Sequence, residues 1–183
     1  MHQKKCVLVL GGARSGKSSF AQRLAIQLGK KVLFVATAAP LDDEMKHRIE
    51  MHKKSRPKSW RTLEVLTDVG KEIEKNIQGV DVVILDCLTL LISNVFEKYG
   101  SKSACEELLE KKVETEIMAL ISCIKNNNAS FIIVTNEVGS GIVPANKVSR
   151  IFRDVQGRAN QELARIADSV YLMVAGLPLE VKP

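Results

Sequence analysis

Gly11-Gly12-Ala13-Arg14-Ser15-Gly16-Lys17-Ser18 follows the apolar run 6–10 and opens a helical pattern that lasts to Leu28. The stretch satisfies G-x-x-x-x-G-K-[ST] in the strand-to-helix setting that this pattern requires. Glycines let the backbone curl closely around phosphate oxygens. Successive N–H groups and the helix N-terminus present positive potential, and Lys17 adds a point charge. Ser18 supplies a hydroxyl for Mg²⁺. The plain alternative, a glycine-rich turn that happens to precede a helix, does not account for the full pattern in its setting.

Outward from this loop, short apolar runs bounded by turn residues recur as CVLVL from Cys6, KVLFVAT from Lys31, DVVILDC from Asp81, SFIIVTN from Ser130 and SVYLMVAG from Ser169. Both faces of each run are apolar, which predicts buried strands. Helical patterns lie between them at 17–28, 41–54, 68–78, 88–98, 104–126 and 144–168. In the last, Val148, Ile151, Phe152, Val155, Ala159, Leu163 and Ile166 form one apolar stripe that packs onto a sheet. WRTLEV, residues 60–65, is too brief to separate strand from loop. Alternating strands and helices predict parallel strands with crossover helices. The expectation is one three-layer α/β P-loop domain over residues 1–183 with a mainly parallel central sheet.

Composition agrees with one globular domain: 183 residues, 45% hydrophobic and 26% charged. The net charge of +6 suits nucleic acid, an anionic membrane or an anionic small substrate alike. Aromatic residues at only 4% offer few platforms for base stacking, and no nucleic-acid-binding motif is present, so no nucleic-acid partner is expected. Cys6, Cys87, Cys105 and Cys123 form no C-x-x-C pair, which favours a reduced, cytoplasmic protein. The 6–10 run is too short for a signal peptide, and no run approaches the ~20 apolar residues of a membrane span.

Asp86 ends the run VVILD, at the sheet edge where open parallel sheets gather ligands. A second ligand for Mg²⁺ is the functional reading; a cap for the helix beginning at Leu88 is the structural one. In the 41–54 helix, Met45, Ile49 and His52 share a narrow sector, whereas His47 lies on the far side near Lys54. Periodicity alone allows His52 to be a packing residue beside a solvated basic face of Lys53, Lys54, Arg56, Lys58 and Arg61. The sharper reading makes its imidazole a nucleophile toward phosphorus. Asn136 and Glu137 precede Gly139-Ser140-Gly141 at the same sheet edge as the glycine loop, where a functional loop is expected. The structural alternative is that Glu137 ties down that loop.

Four blocks carry a likeness over essentially the whole chain: GGARSGKS from Gly11, ATAAPLDDEMKHRIEMHKKSRP from Ala36, SWRTLE from Ser59 and VTNEVGSGIVPANKVSRIFRD from Val134. In these blocks the chain resembles the bifunctional adenosylcobinamide kinase/adenosylcobinamide-phosphate guanylyltransferase family of cobalamin biosynthesis. The sequence departs in Met51, where relatives often have a second histidine, and in Asp86, where some have glutamate.

The resemblance implies RecA-like topology and a homo-oligomer, with a trimer as the expected form. It implies phosphorylation of adenosylcobinamide with ATP or GTP, then transfer of GMP from GTP through a guanylylated histidine, placed at His52. It further implies that Thr37, Ala38, Ala39, Lys53, Lys54, Ser55, Arg56 and Glu64 line the guanine nucleotide site alongside residues 11–18 and Asp86. A small-molecule kinase without nucleotidyl transfer shares every feature except the nucleophile. A nucleic-acid-stimulated ATPase, or a chain retaining one of the two activities, is a further alternative.

Overall fold

The apolar runs pair into one seven-stranded sheet in the computed structural model, which describes residues 4–40, 42–54, 56–100 and 106–183. In chain order the elements are β1 (Cys6–Gly11), α1 (Lys17–Leu28), β2 (Val32–Ala36), α2 (Asp43–Lys54), β3 (Arg61–Glu64), α3 (Val69–Asn76), β4 (Val82–Asp86), α4 (Leu88–Tyr99), α5 (Glu106–Asn126), β5 (Ser130–Val134), α6 (Lys147–Ile166), β6 (Ser169–Val174) and β7 (Leu177–Lys182). The strand order is β3-β2-β4-β5-β1-β6-β7, and β7 alone runs antiparallel to its neighbour. This is the α/β P-loop architecture with a mostly parallel sheet. β5 therefore lies between β1, which feeds the glycine loop, and β4, which ends at Asp86.

Side chains alternate across a strand, so a sheet covered on both faces needs apolar residues at every position. Leu8, Leu33, Val83, Leu85, Phe131 and Ile133 enter the core built with α3 to α6. Val9, Phe34, Ile84 and Ile132 enter the opposite core, where Ala21 and Ala25 of α1 meet them. Burying one such side chain contributes about 1.5–3 kcal/mol. Two cores on two faces make the three layers that the sequence pattern predicts.

Where the elements depart from the sequence pattern, local chemistry explains it. The undecided 60–65 segment holds β3, an edge strand paired only with β2 and largely exposed. β7 is an added strand that no apolar run announces. It returns from β6 through Ala175-Gly176, both at positive φ (+50° and +86°), as a two-residue hairpin turn demands. Its Pro178 is tolerated because β7 is an edge.

The 144–168 helix begins only at Lys147, because Asn146 Oδ1 accepts the Ser149 N–H at 3.2 Å and caps it. Of its predicted stripe, Ile151, Val155, Ala159 and Leu163 are buried, while Val148, in the first turn, is 55% exposed. The 41–54 helix starts at Asp43, with Asp42 Oδ1 accepting the Met45 N–H at 2.7 Å; Leu41 lies outside the described residues. Residues 104 and 105, assigned to the fifth helix, lie outside them as well.

α3 is held at its start by a neighbour. Glu116 of α5 accepts the N–H groups of Asp68 and Val69 at 2.9 and 2.7 Å. Gly70 then packs directly on α5, where an added Cβ would meet the Ala119 carbonyl oxygen at 2.6 Å. Gly70→Ala must part the two helices and is expected to cost about 1–3 kcal/mol, as overpacking does. Thermal melting should fall by roughly 2–4 °C per kcal/mol in a domain of this size.

Candidate active site

Two glycines of the loop are obligatory for backbone reasons. Gly11 has φ +152°, and a Cβ there would meet Ser15 Oγ at 2.6 Å and the Met173 carbonyl oxygen at 2.7 Å. Gly16, at φ +94°, occupies the N-cap of α1 and faces Gly176 of the β6–β7 turn, whose N–H donates to the Ser15 carbonyl at 3.0 Å. The unforeseen hairpin thus supports the loop from behind. Lys17 is 8% exposed and donates from Nζ to the carbonyls of Gly11 (2.9 Å) and Gly12 (2.6 Å). Burial lowers its pKa, and Cys87 and Asp86 act against that shift.

The loop forms one wall of a cavity of about 730 Å³ at the carboxyl edge of the sheet. α2 forms the facing wall with Met45, Ile49, His52 and Lys53, while Asp86 and Asn136 lie at the strand ends between. His52 is exposed on this wall, and His47, also exposed, is absent from it. This agrees with the helical-face reading, which separated the two histidines. Lys53 pairs with Glu64 Oε1 at 2.5 Å, tying the end of α2 to β3. Such an exposed pair is worth no more than about 1 kcal/mol.

Arg56 lines the same cavity. Its guanidinium carbon stands 3.6 Å from the Phe34 ring centroid, and Phe34 in turn stacks on Trp60 with centroids 6.5 Å apart. Burial lowers the Arg56 pKa, opposed by the charges of Asp86 and Glu64. Arg56 Nε and Nη1 are buried with no hydrogen-bond partner among the described residues, and so is Ser15 Oγ in the loop. Buried polar atoms are nearly always satisfied. Orphaned polar groups on two residues lining one cavity suit an anionic ligand.

Of the residues singled out from sequence, Ala13, Arg14, Ser15, Gly16, Lys17, Ser18, Ala38, His52, Lys53, Arg56, Glu64 and Asp86 share this cavity. Gly11 and Gly12 shape the loop without lining it, Ala39 and Lys54 lie off the wall, and Ser55 is outside the described residues. Thr37 is not among the residues that line the cavity. It is fully buried, and its hydroxyl accepts the Cys87 N–H at 2.9 Å and donates to the Cys87 carbonyl at 2.7 Å. Asn94 Nδ2 donates to the Thr37 carbonyl at 2.8 Å. Thr37 is therefore a rivet joining the ends of β2 and β4, and it fixes the residue after Asp86 rather than touching the cavity.

Asp86 itself does not cap α4. Cys87 holds the N-cap position with no side-chain bond, and the Asp86 residue lines the cavity. Burial, with Asp86 adding to it, pushes the Cys87 thiol up to about 11, so it remains protonated and unreactive at neutral pH. Asn136 is a wall residue whose specific role the residue pattern leaves open. A polar residue just past a buried strand, at the edge that carries the glycine loop, was the available signal.

A glycine loop joining β1 to α1, a buried lysine folded over it and a carboxylate at the end of a parallel strand define a P-loop nucleotide-binding protein. The chain also matches, over residues 7–181, the family described as cobinamide kinase / cobinamide phosphate guanyltransferase (CobU), and it belongs to that family. It is 42% identical over 180 residues to the bifunctional adenosylcobalamin biosynthesis protein CobU of Escherichia coli (strain K12), covering 96% of this chain and 99% of that one. It is 41% identical to the Salmonella typhimurium protein of the same name, with the same coverage. It is 37% identical over 175 residues to the bifunctional adenosylcobalamin biosynthesis protein CobP of Pseudomonas aeruginosa, covering 96% of each chain.

Proposed function

We propose that this chain phosphorylates adenosylcobinamide with ATP or GTP and then transfers GMP from GTP to adenosylcobinamide phosphate, with His52 as the covalent carrier. The observation that carries this reading is the facing of two walls: a phosphate-binding loop on one side of the cavity and a helix bearing His52 and Lys53 on the other. A kinase that never forms a covalent intermediate has no use for an imidazole there.

In the first half of the transfer, an imidazole nitrogen attacks the α-phosphorus of GTP. The bond from that phosphorus to the β-phosphate oxygen breaks, and pyrophosphate departs. Backbone N–H groups of the loop and Lys17 stabilise the charge on the departing group. In the second half, a phosphate oxygen of the corrinoid substrate attacks the same phosphorus and releases the imidazole, giving adenosylcobinamide-GDP. A corrinoid phosphate and a triphosphate repel each other, so handling them in sequence separates their charges in time. Arg56, with buried unpartnered donors, and Lys53 suit the anions that occupy the cavity in turn.

Mg²⁺ commonly takes one or two protein oxygens and completes its shell with water and phosphate oxygens. Ser18 and Asp86 line the same cavity and supply a hydroxyl and a carboxylate, so the donor set fits. When bound there, the ion would neutralise phosphate charge.

Incubation of the full chain with GTP labelled at the α-phosphorus tests the reading. Acid-labile label should stay on the denatured protein and should leave as adenosylcobinamide-GDP when adenosylcobinamide phosphate is added. Phosphorylation of adenosylcobinamide without any protein-bound label would leave a small-molecule kinase only.

A further inference from the structure

The apolar face of α6 carries two buried amides, Gln156 (0% exposed) and Asn160 (6%), which meet the buried hydroxyl of Thr135 at the end of β5. Thr135 Oγ1 donates to Asn160 Oδ1 at 2.8 Å. Gln156 Nε2 donates to Thr135 Oγ1 at 2.8 Å and to Asn160 Oδ1 at 3.0 Å. Placing three polar side chains inside a core is costly unless they fix something in place.

What they fix is the backbone of Asn136. Asn160 Nδ2 donates to the Asn136 carbonyl at 3.2 Å, and on the opposite side the Asn136 N–H donates to Thr89 Oγ1 of α4 at 2.9 Å. The next N–H, of Glu137, donates at 3.2 Å to the Gly11 carbonyl, the same oxygen that accepts from Lys17 Nζ. With its backbone committed on both sides, Asn136 is held as a residue of the cavity wall. Strand order sets its position there, because β5 separates the loop-bearing β1 from the Asp86-bearing β4. That is where the phosphates of a nucleotide held by residues 11–18 must lie.

The geometry points to Asn136 as a nucleotide-contacting residue whose amide donates to a phosphate oxygen, with Asn160, Gln156 and Thr89 as positioning residues that act through it. The inference rests on the phosphate-cradle reading of residues 11–18. An uncharged amide on a rigid backbone discriminates by geometry, which complements the less directional attraction of Lys17.

The test is a double-mutant cycle on the full chain, reading GTP affinity by calorimetry and the rate of GMP self-labelling, with thermal melting as a control on folding. Asn136→Ala is expected to lower the labelling efficiency by roughly 10- to 100-fold, the size of a lost hydrogen bond to a charged group. Asn160→Leu should lower it about 5- to 10-fold alone but less than about 2-fold in the Asn136→Ala background, since the shared effect is then already lost. If Asn160→Leu fails to fold, Thr89→Val takes its place in the cycle. Full efficiency in Asn136→Ala, or equal losses from the second substitution in both backgrounds, would overturn the inference. Lys17→Ala separates the two readings. If it binds GTP as the unaltered chain does, the cradle reading falls; if it loses GTP while Asn136→Ala keeps full efficiency, only the role of Asn136 falls.

Discussion

Lys17→Ala is expected to lower both phosphoryl transfer to adenosylcobinamide and GMP transfer by roughly 100- to 1,000-fold, the range found when a preorganised stabilising donor is removed. Both steps should suffer because each breaks a bond within a polyphosphate held by the same loop. The fold should tolerate the change. Among the described residues Lys17 donates only to the Gly11 and Gly12 carbonyls; the first keeps the Glu137 N–H as a partner, and Gly12 is exposed. Lys17→Arg is not expected to rescue, since a planar fork does not fit a site built around a buried ammonium. Steady-state rates for the two half-reactions, beside a melting curve, provide the check. Unchanged rates in a folded variant would remove the phosphate-cradle reading.

The glycine loop and the five apolar strands were legible because their signals are local. A buried parallel strand must be apolar at every position, and a phosphate-binding turn must have its glycines and lysine at fixed spacing. β7 was not legible. Its residues Leu177, Leu179 and Val181 are exposed, it contains Pro178, and its turn has alanine where asparagine or glycine is the usual signal. β3 was half legible for a related reason, since an edge strand paired on one side has no need of a continuous apolar pattern.

The site shows the same division. His52 and His47 separate on helical periodicity alone, because α2 is regular and one of its faces meets the cavity. The hydrogen bonds of Thr37 could not be read from its place just past β2, because its partners are Cys87 and Asn94, at least 50 residues away. Gln156 and Asn160 interrupt the stripe of Val155, Ala159 and Leu163 at i, i+4 spacing. On a helix otherwise buried along that face, two such amides signal a polar network, but only the fold identifies Asn136 as what they hold.

His52→Ala should divide the two activities that Lys17→Ala removes together. Loss of a covalent nucleophile costs roughly 10⁴- to 10⁶-fold in the step it serves. Acid-labile label from GTP should therefore vanish and formation of adenosylcobinamide-GDP should stop. Phosphorylation of adenosylcobinamide should persist within about threefold, because the loop, Lys17 and Asp86 are untouched and positioning with charge stabilisation does most of the work of phosphoryl transfer. His52 is exposed in the last turn of α2, where alanine is a good helix former, so melting should move by less than about 2 °C. His47→Ala, on the face of α2 away from the cavity, is the matched control and should leave both activities intact. If His52→Ala retained the label at the level of the unaltered chain, the carrier would be another residue. If it lost kinase activity to the same degree, the histidine would belong to the nucleotide site in general and the case for two in-line displacements would fail.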